Sequence, residues 1–197
     1  MKSIVIATKN KGKIKEFQTL FSPYNIKALS LYDLSVPIPP IEETGNTFEE
    51  NAWIKAEKIS SLLNTTVMAD DSGLVIDALD GKPGIYSARY AGENCTDENN
   101  MDKVLNEMKE IPMLKRTARF VCVIAICEPG KNTIFKKGIC EGHIACSKAG
   151  TNGFGYDPIF IPDGYNKTMA ELSHAEKNKI SHRTEALNQL KKWLTCL

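Results

Sequence analysis

The chain predicts an α/β fold with a mixed β-sheet flanked by helices, and three observations predict it. Apolar runs suited to strands interleave with segments in which apolar residues recur at helical spacing. Residues 119–127 are almost wholly apolar, as expected of a strand that is covered on both faces. A turn-forming segment at residues 129–132 joins this run to a further strand over residues 133–146, which indicates a hairpin.

The first half of the chain alternates strands and helices. We predict strands over residues 2–8 and 26–30 and a helix over residues 11–21. Thr47 and Glu50 form a predicted capping box, in which each side chain satisfies the other residue's free amide. The helix that this box opens carries on one face Ala52, Ala56, Ile59 and Leu63.

The remaining segments follow the same pattern with longer loops. Short strands over residues 66–69 and 74–77 are predicted to flank a polar turn, and the Gly- and Pro-rich residues 80–95 are predicted to form a loop. The other predicted elements are a helix over 97–109, a loop over 150–155 and a tail helix over 181–197.

Length and charge narrow the function classes. With 197 residues the chain is predicted to be a single domain, residues 1–197. The 25 basic residues nearly balance the 24 acidic ones, which argues against a protein that coats nucleic acid or an anionic membrane. The first apolar run, residues 4–7, is too short for a signal peptide or a membrane span, so the expected location is the cytosol.

Six cysteines are present, and in the cytosol we expect free thiols. Cys140, His143 and Cys146 have the appearance of a metal triplet. On a strand, however, the two cysteines would be about 20 Å apart and His143 would face the other side, so they would not share a zinc ion. We therefore interpret this segment as structural.

A lysine-rich segment, Thr8 to Lys13, lies between a predicted strand and a predicted helix. Helix N-termini present unpaired amides that suit phosphate, and Gly12 permits close approach of the backbone. The segment lacks the Walker pattern, and lysines on the first turn of a surface helix also occur simply as solvated residues. Both interpretations remain open from this segment alone.

Two acidic segments suggest a divalent-metal site. Glu42 and Glu43 precede Gly45, and Asp70 and Asp71 precede Ser72 at the end of a predicted strand. Mg²⁺ takes hard oxygen ligands and shares them with phosphate. Only one of the two aspartates is expected to point into such a site, because adjacent strand residues face opposite ways. Ordinary turn chemistry is the alternative.

The last candidate segments carry aromatic and basic residues. Glycines beside Phe154 and Tyr156 are predicted to leave both rings accessible for stacking on a flat ring, unless the loop merely holds a buried aromatic anchor. Arg183 offers paired donors to the edge of a 6-oxopurine, whereas Ser181 also fits a simple N-cap. No Ser or Cys hydrolase signature is present, which favours metal-assisted hydrolysis.

Taken together, these segments resemble the Ham1-like inosine triphosphate pyrophosphatase family. The resemblance runs from Ile4 to Trp193. It rests on Ala7-Thr-Lys-Asn-Lys-Gly-Lys13, Glu42-Glu-Thr-Gly45, Ala69-Asp-Asp-Ser-Gly73, Pro83-Gly-Ile-Tyr-Ser-Ala-Arg89, Gly153-Phe-Gly-Tyr-Asp-Pro158 and Ser181-His-Arg183.

The resemblance implies an elongated α/β fold with two lobes and a nucleotide cleft between them, usually as a homodimer. It implies Mg²⁺-dependent hydrolysis of ITP, dITP and XTP to the monophosphate and pyrophosphate. By position it implies that Asp71 is the general base and a metal ligand, with Glu42 as the second metal ligand. The implied substrate contacts are Thr8, Lys9, Asn10, Lys11, Gly12, Lys13, Ser72, Phe154, Gly155, Tyr156, Asp157, Lys177, His182 and Arg183.

Three other functions remain as rivals. A Maf-type pyrophosphatase for modified pyrimidine nucleotides would share the fold. A nucleotide sensor would bind without turnover, although the acidic residues beside the phosphate segment argue against it. A nucleic-acid-binding protein is disfavoured by the balanced net charge.

Overall fold

The computed structural model describes the backbone of residues 2–196 and the side chains of residues 2–195. Within that range lie six strands: β1 Lys2–Ile6, β2 Ile26–Leu29, β3 Val67–Ile76, β4 Thr117–Cys127, β5 Ile134–Ile144 and β6 Phe160–Pro162. The α-helices of the same range are α1 Lys11–Phe21, α2 Phe48–Leu63, α3 Asp97–Glu107, α4 His174–Ile180, α5 His182–Asn188 and α6 Lys191–Cys196.

The six strands form one mixed sheet in the order β2-β1-β3-β4-β5-β6. β1 runs parallel to β2, with Ile4 opposite Ala28, and parallel to β3, with Val5 opposite Val67. β5 and β6 are antiparallel, with His143 as the partner of Ile161. β4 and β5, the strands of the predicted hairpin, are neighbours in the sheet. The predicted α/β class and mixed sheet are thus confirmed.

The chain divides into two compact units, each assembled from separate segments. Unit 1 contains the chain up to Asp71, Cys122–Gly138 and the segment from Arg183 onward. Unit 2 contains Ser72–Val121 and Ile139–His182.

The core of unit 1 forms where the inward face of α1 meets the apolar strands. Phe17 and Phe21, which the helical spacing predicts to be inward, are both fully buried with stacked rings. Other buried members of this core are Ile6, Ile26, Met68, Ile124, Ile126, Leu187, Leu190 and Leu194.

The core of unit 2 is built around α3. Met101 and Val104 are buried as their spacing predicts, and Met108 is buried directly after the helix. The strand and loop residues that join them include Leu74, Ile76, Phe120, Ile144, Ile159, Phe160 and Met169.

The predicted polar turn between two strands at residues 70–73 is wrong, because β3 passes through it without a break. β3 lies between β1 and β4 in the sheet, so it has a neighbouring strand on each side. The polar side chains of Asp70 and Asp71 lie buried in this strand. The turn-forming residue types at these positions therefore do not mark a reversal of the chain.

The predicted tail helix is interrupted. Within the described residues it consists of α5 and α6, separated by residues 189–190, whereas its predicted end at residue 197 lies outside them. The Leu190 amide donates to the Leu187 carbonyl at 2.8 Å. Leu187, Leu190 and Leu194, which the helical spacing of the tail predicts to be inward, are all buried. Their spacing suits one helix or two short helices equally well, so the pattern does not reveal the interruption. α4 and β6 are not anticipated by the sequence.

The predicted capping box of α2 is half present. The Thr47 hydroxyl accepts from the Glu50 amide at 3.1 Å, which confirms Thr47 as the N-cap. The Glu50 carboxylate, however, accepts from the amide of Asn46 at 2.6 Å, one residue before the cap. Glu50 therefore fastens the preceding loop to the helix.

Two further features bear on the sequence predictions. No helix of residues 2–196 is long and apolar enough to cross a membrane.

The five cysteines with described side chains are reduced thiols, whereas the side chain of Cys196 lies outside the described residues. Cys140 is buried and Cys146 is exposed, with its sulfur 3.4 Å from the Met113 sulfur. The structural interpretation of the Cys140 to Cys146 segment stays a prediction.

Candidate active site

The lysine-rich segment of unit 1 lies where β1 ends and α1 begins. Asn10 caps α1, because its Oδ1 accepts from the Lys13 amide at 3.0 Å. The Asn10 amide in turn donates to the hydroxyl of Thr8, which is buried, at 3.1 Å. Lys9 and Lys11 are exposed, whereas Gly12 and Lys13 are half-buried. The predicted strand–loop–helix context of a phosphate site is therefore present.

Asp70 anchors the end of the Lys13 side chain. The Lys13 Nζ lies 2.8 Å from Asp70 Oδ2, and the Asp70 side chain is 0% exposed. The Nε of Arg183 lies 3.5 Å from the same oxygen. Burial by itself raises the pKa of Asp70, but Lys13, Arg183 and Lys55 outweigh it and hold that pKa well below its usual range. Asp70 therefore remains a carboxylate that holds two cations.

Asp71 differs from Asp70 in its surroundings. Its Oδ1 lies 3.1 Å from the Lys55 Nζ, which also lies 3.2 Å from Glu43 Oε1. Its Oδ2 is buried and has no hydrogen-bond partner among the described residues. Burial raises the pKa of Asp71 and the neighbouring Glu43 raises it further, although Lys55 opposes both. Asp71 is thus the better proton acceptor of the two aspartates.

Lys55 is a functional candidate that the sequence motifs do not include. It is buried on the same face of α2 as Ala52, Ala56 and Ile59. Burial by itself lowers the pKa of Lys55, but the carboxylates of Asp71, Glu43 and Asp70 together raise it. Lys55 therefore stays charged between the two carboxylates that it contacts. Its position within the predicted apolar face of the helix is the sequence feature that indicates a buried lysine.

The structure brings Glu43, and not Glu42, to Lys55. Glu42 is exposed and forms no ion pair among the described residues. The Glu43 side chain is 30% exposed and contacts Lys55 beside Asp71. Glu42 as a metal ligand stays a prediction, and Glu43 is the glutamate that contacts Lys55.

Arg183 is buried at the start of α5. Its Nη1 lies 2.8 Å from the Oε2 of Glu16 on α1, and the Arg183 side chain is only 4% exposed. Burial alone lowers the pKa of Arg183, but Glu16 and Asp70 raise it above its ordinary value. The guanidinium is thus occupied by carboxylates of unit 1.

In unit 2 the glycine-rich loop is organised around Asp157. Its Oδ2 accepts from the Phe154 amide at 2.9 Å and forms an ion pair with the Lys177 Nζ at 2.6 Å. The same Nζ lies 4.8 Å from the centre of the Phe154 ring, which is half-buried. Gly153 has φ +82°, and a Cβ there would come within 1.9 Å of Asp157 Oδ2. Three of the predicted contacts, Phe154, Asp157 and Lys177, therefore lie together.

The second aromatic of this loop has a structural role. Tyr156 is buried, and its hydroxyl donates to the Ser87 carbonyl at 2.8 Å. The expectation that its ring is accessible for stacking is therefore wrong, whereas Phe154 is half-buried. The Gly155 amide donates to Asp97 Oδ2 at 2.7 Å, which links the loop to the first turn of α3.

The side chains of the remaining predicted substrate contacts in unit 2 are buried or half-buried. His182 is buried, and its ring stacks on Phe120 with the centroids 5.0 Å apart and the planes at 18°. Ser181 is the C-cap of α4, and not simply the N-cap of a long tail helix. Ser72 is half-buried in β3.

Comparison with known proteins identifies the family. The model of the Ham1 family matches residues 4–193. The chain belongs to the Ham1 family. This Ham1-family protein is 62% identical over 194 residues to a protein of Oceanobacillus iheyensis named dITP/XTP pyrophosphatase, with 98% of both chains covered. It is 54% identical over 192 residues to a Bacillus cereus protein of the same name, covering 96% of this chain and 93% of the other.

Solved Ham1 structures share the fold. The Staphylococcus aureus Ham1 protein is 50% identical with a TM-score of 0.86, and 98% of each chain is covered. A HAM1 protein from Coxiella burnetii is 45% identical with a TM-score of 0.88 over the whole of both chains. The α/β architecture of this Ham1-family protein is therefore that of its family.

Proposed function

We propose that this protein hydrolyses non-standard purine nucleoside triphosphates, namely ITP, dITP and XTP, to the monophosphate and pyrophosphate. The observation that carries the proposal is Asp71, a buried carboxylate with a raised pKa and one oxygen that lacks a hydrogen-bond partner among the described residues. The names of the similar proteins support the same substrate class.

The triphosphate is assigned to the segment from Thr8 to Lys13. The first turn of α1 offers backbone amides and a partial positive charge, both of which favour phosphate oxygens. Lys13 adds a full charge at a position that Asp70 fixes. These groups would stabilise the negative charge that develops on the phosphate oxygens during hydrolysis.

The chemistry of the acidic residues fits Mg²⁺. Mg²⁺ is commonly held by one or two carboxylates together with substrate phosphates. Asp71 and Glu43 provide two neighbouring carboxylates, and Asp71 Oδ2 is buried with no hydrogen-bond donor beside it in the part of the chain that the structure describes. The described residues contain no group of three or more acidic, His or Cys side chains suited to a metal ion. When bound, Mg²⁺ would neutralise phosphate charge.

Asp71 is assigned as the general base. The attacking water gives its proton to Asp71 as its oxygen bonds to phosphorus, and the bond from that phosphorus to the leaving group breaks. Attack at either of two phosphorus atoms gives the same monophosphate and pyrophosphate. A raised pKa brings a carboxylate closer to the ideal for a general base near neutral pH.

Lys55 orients the base. Its Nζ binds Asp71 Oδ1 and so fixes the orientation of the carboxylate. The same Nζ binds Glu43 and so reduces the repulsion between the two carboxylates.

The purine is assigned to unit 2 residues around Phe154. A partly exposed aromatic ring offers a stacking surface for a base, and Lys177 contacts that ring from one side. Lys177 is also a donor that suits the 6-oxygen of hypoxanthine and xanthine but not the 6-amino group of adenine. Guanine also carries the 6-oxygen, so rejection of GTP is assigned to its 2-amino group, which meets no acceptor. An unsatisfied buried donor of this kind costs about 1–3 kcal/mol.

A substrate panel tests the proposal. The protein is incubated with ITP, dITP, XTP, GTP, ATP, CTP and a modified pyrimidine nucleoside triphosphate plus Mg²⁺, and kcat/KM is measured for each. We expect ITP, dITP and XTP to exceed GTP by about 5- to 150-fold, with ATP poor. A preference for modified pyrimidine nucleotides would support a Maf-type enzyme, and binding without turnover would support a sensor.

We also propose that the protein forms a homodimer and that it is located in the cytosol. Sedimentation of the purified protein tests the dimer.

A further inference from the structure

The loop that carries Glu43 is fastened to the first turn of α2 by two hydrogen bonds. The Gly45 amide donates to Asn51 Oδ1 at 2.8 Å, and the Asn46 amide donates to Glu50 Oε2 at 2.6 Å. The first bond fixes the backbone only two residues after Glu43. The position of the Glu43 carboxylate therefore depends on α2.

Asn51 is an unusual residue for the place that it occupies. It is 0% exposed, and its Nδ2 has no hydrogen-bond partner among the described residues. A buried donor without a partner costs free energy, which an apolar side chain would avoid. The amide cannot be turned over without bringing Nδ2 against the Gly45 N–H, donor against donor. The bond from Gly45 to Oδ1 is thus the contact that accounts for asparagine here.

Gly45 permits the close approach of the loop to the helix. A Cβ at this position would lie 2.6 Å from Glu50 Cβ and 2.8 Å from Asn51 Oδ1. Either contact is shorter than real Cβ atoms show, so any larger residue must push the loop away from α2. The loop and α2 therefore meet at a junction that consists of Gly45 on the loop side and Asn51 on the helix side.

We propose that Asn51 is a positioning residue that holds Glu43 in place for divalent-metal binding, an inference that rests on the proposed function. Asn51 and Lys55 lie four residues apart, one turn of α2, and therefore on the same face. One helix thus supplies both the anchor for the loop and the cation that binds Glu43 and Asp71. Loss of the anchor would let the Glu43 carboxylate move away from its place beside Lys55 without removing any metal ligand.

The test is the binding of Mn²⁺ alone to the full chain, followed by electron paramagnetic resonance of the free ion. Asn51→Ala and Gly45→Ala are each expected to weaken Mn²⁺ binding by about 10- to 100-fold, as is typical when a residue that orients a metal ligand is lost. The half-saturating Mg²⁺ concentration for ITP hydrolysis should rise in parallel, while kcat at saturating Mg²⁺ changes less.

Ser60→Ala is the matched control on the same helix. Ser60 is buried, and its hydroxyl donates to the carbonyls of Thr65 at 2.7 Å and Cys127 at 3.2 Å. Its loss should lower the thermal stability but leave Mn²⁺ affinity unchanged. If Asn51→Ala fails to fold, Gly45→Ala tests the positioning role instead, because its Cβ disrupts the same contact between the loop and α2 from the loop side.

Glu43→Gln and Asp71→Asn separate this inference from the proposed function. If both weaken Mn²⁺ binding while Asn51→Ala and Gly45→Ala bind it like the wild type, the positioning role is overturned and the metal site stands. If Ser60→Ala weakens binding as much as Asn51→Ala, the effect is general destabilisation and the role is also overturned. If Glu43→Gln and Asp71→Asn leave binding unchanged, the metal assignment itself fails.

Discussion

Lys55 binds only one oxygen of Asp71: its Nζ lies 3.1 Å from Oδ1, while Oδ2 is buried without a hydrogen-bond partner among the described residues. The carboxylate is therefore fixed in orientation but has one oxygen available for a ligand or a proton. Asp70 is the preceding residue. Its Oδ2 forms an ion pair with the Lys13 Nζ and also lies close to the Nε of Arg183. Asp71 can therefore accept a ligand or a proton, whereas the adjacent Asp70 binds two cationic side chains.

Asp71→Asn is expected to abolish most turnover while ITP binding is retained. The substitution preserves shape but removes the proton acceptor, and loss of a general base costs about 10²–10⁴-fold in rate. The measurements are kcat at saturating Mg²⁺ and ITP affinity by calorimetry. Near-normal turnover would place the base elsewhere, with Asp70 as the next candidate.

Arg183→Ala is expected to weaken ITP and ATP hydrolysis by the same factor. The sequence suggests that Arg183 reads the purine edge, but its guanidinium is buried against Glu16 and Asp70. Removing one partner of a buried pair should lower the free energy of unfolding by about 3–5 kcal/mol. Denaturation curves and kcat/KM for both nucleotides provide the test. A larger loss for ITP than for ATP would restore the base-reading role.

Phe154→Ala is expected to raise KM for ITP more than it lowers kcat. Stacking of a base on an aromatic side chain contributes about 1–3 kcal/mol to binding. Phe135→Ala is the control, because Phe135 is an exposed phenylalanine of β5 in unit 1. Equal KM values for wild type and Phe154→Ala would exclude the stacking contact.

Arg116→Met is expected to destabilise the protein without changing its substrate preference. The buried Arg116 guanidinium donates to four carbonyls, those of Met108, Ile111, Ile144 and Ala145. Loss of these bonds should lower the free energy of unfolding by at least about 3 kcal/mol, because the carbonyls are left unsatisfied.

Arg119→Met is the matched control for Arg116→Met. Arg119 pairs with Asp77 and Glu141 at the surface, where ion pairs contribute about 0–1 kcal/mol. Urea denaturation of both variants gives the comparison. Similar losses for the two arginines would show that the buried carbonyl contacts are not important.

Local patterns predicted much of the fold because they report burial directly. The helical spacing over residues 11–21 matches α1 residue for residue, and the apolar run before Cys127 lies within β4. The same reasoning failed at Asp70 and Asp71, where polar residues in a central strand were interpreted as a turn. The turn propensity of these residues did not decide the local structure, because lysine side chains pair with both carboxylates within the strand.

The candidate site was predictable in its motifs but not in its internal contacts. Residue type suggested a metal ligand among the adjacent glutamates, but only the backbone path shows that Glu43 meets Lys55. Lys55 itself is distant in sequence from Asp71, and its burial depends on how α2 packs. The burial of Tyr156 is likewise a tertiary property, since its glycine neighbours suggest exposure.

The products of ITP hydrolysis test the central claim most directly. Wild-type protein is incubated with ITP and Mg²⁺, and nucleotides and phosphates are separated and quantified through the reaction. The proposed site predicts one IMP and one pyrophosphate for each ITP consumed, because the pyrophosphate leaves as one unit. Stoichiometric IDP and orthophosphate would contradict the assignment of this protein as a pyrophosphatase.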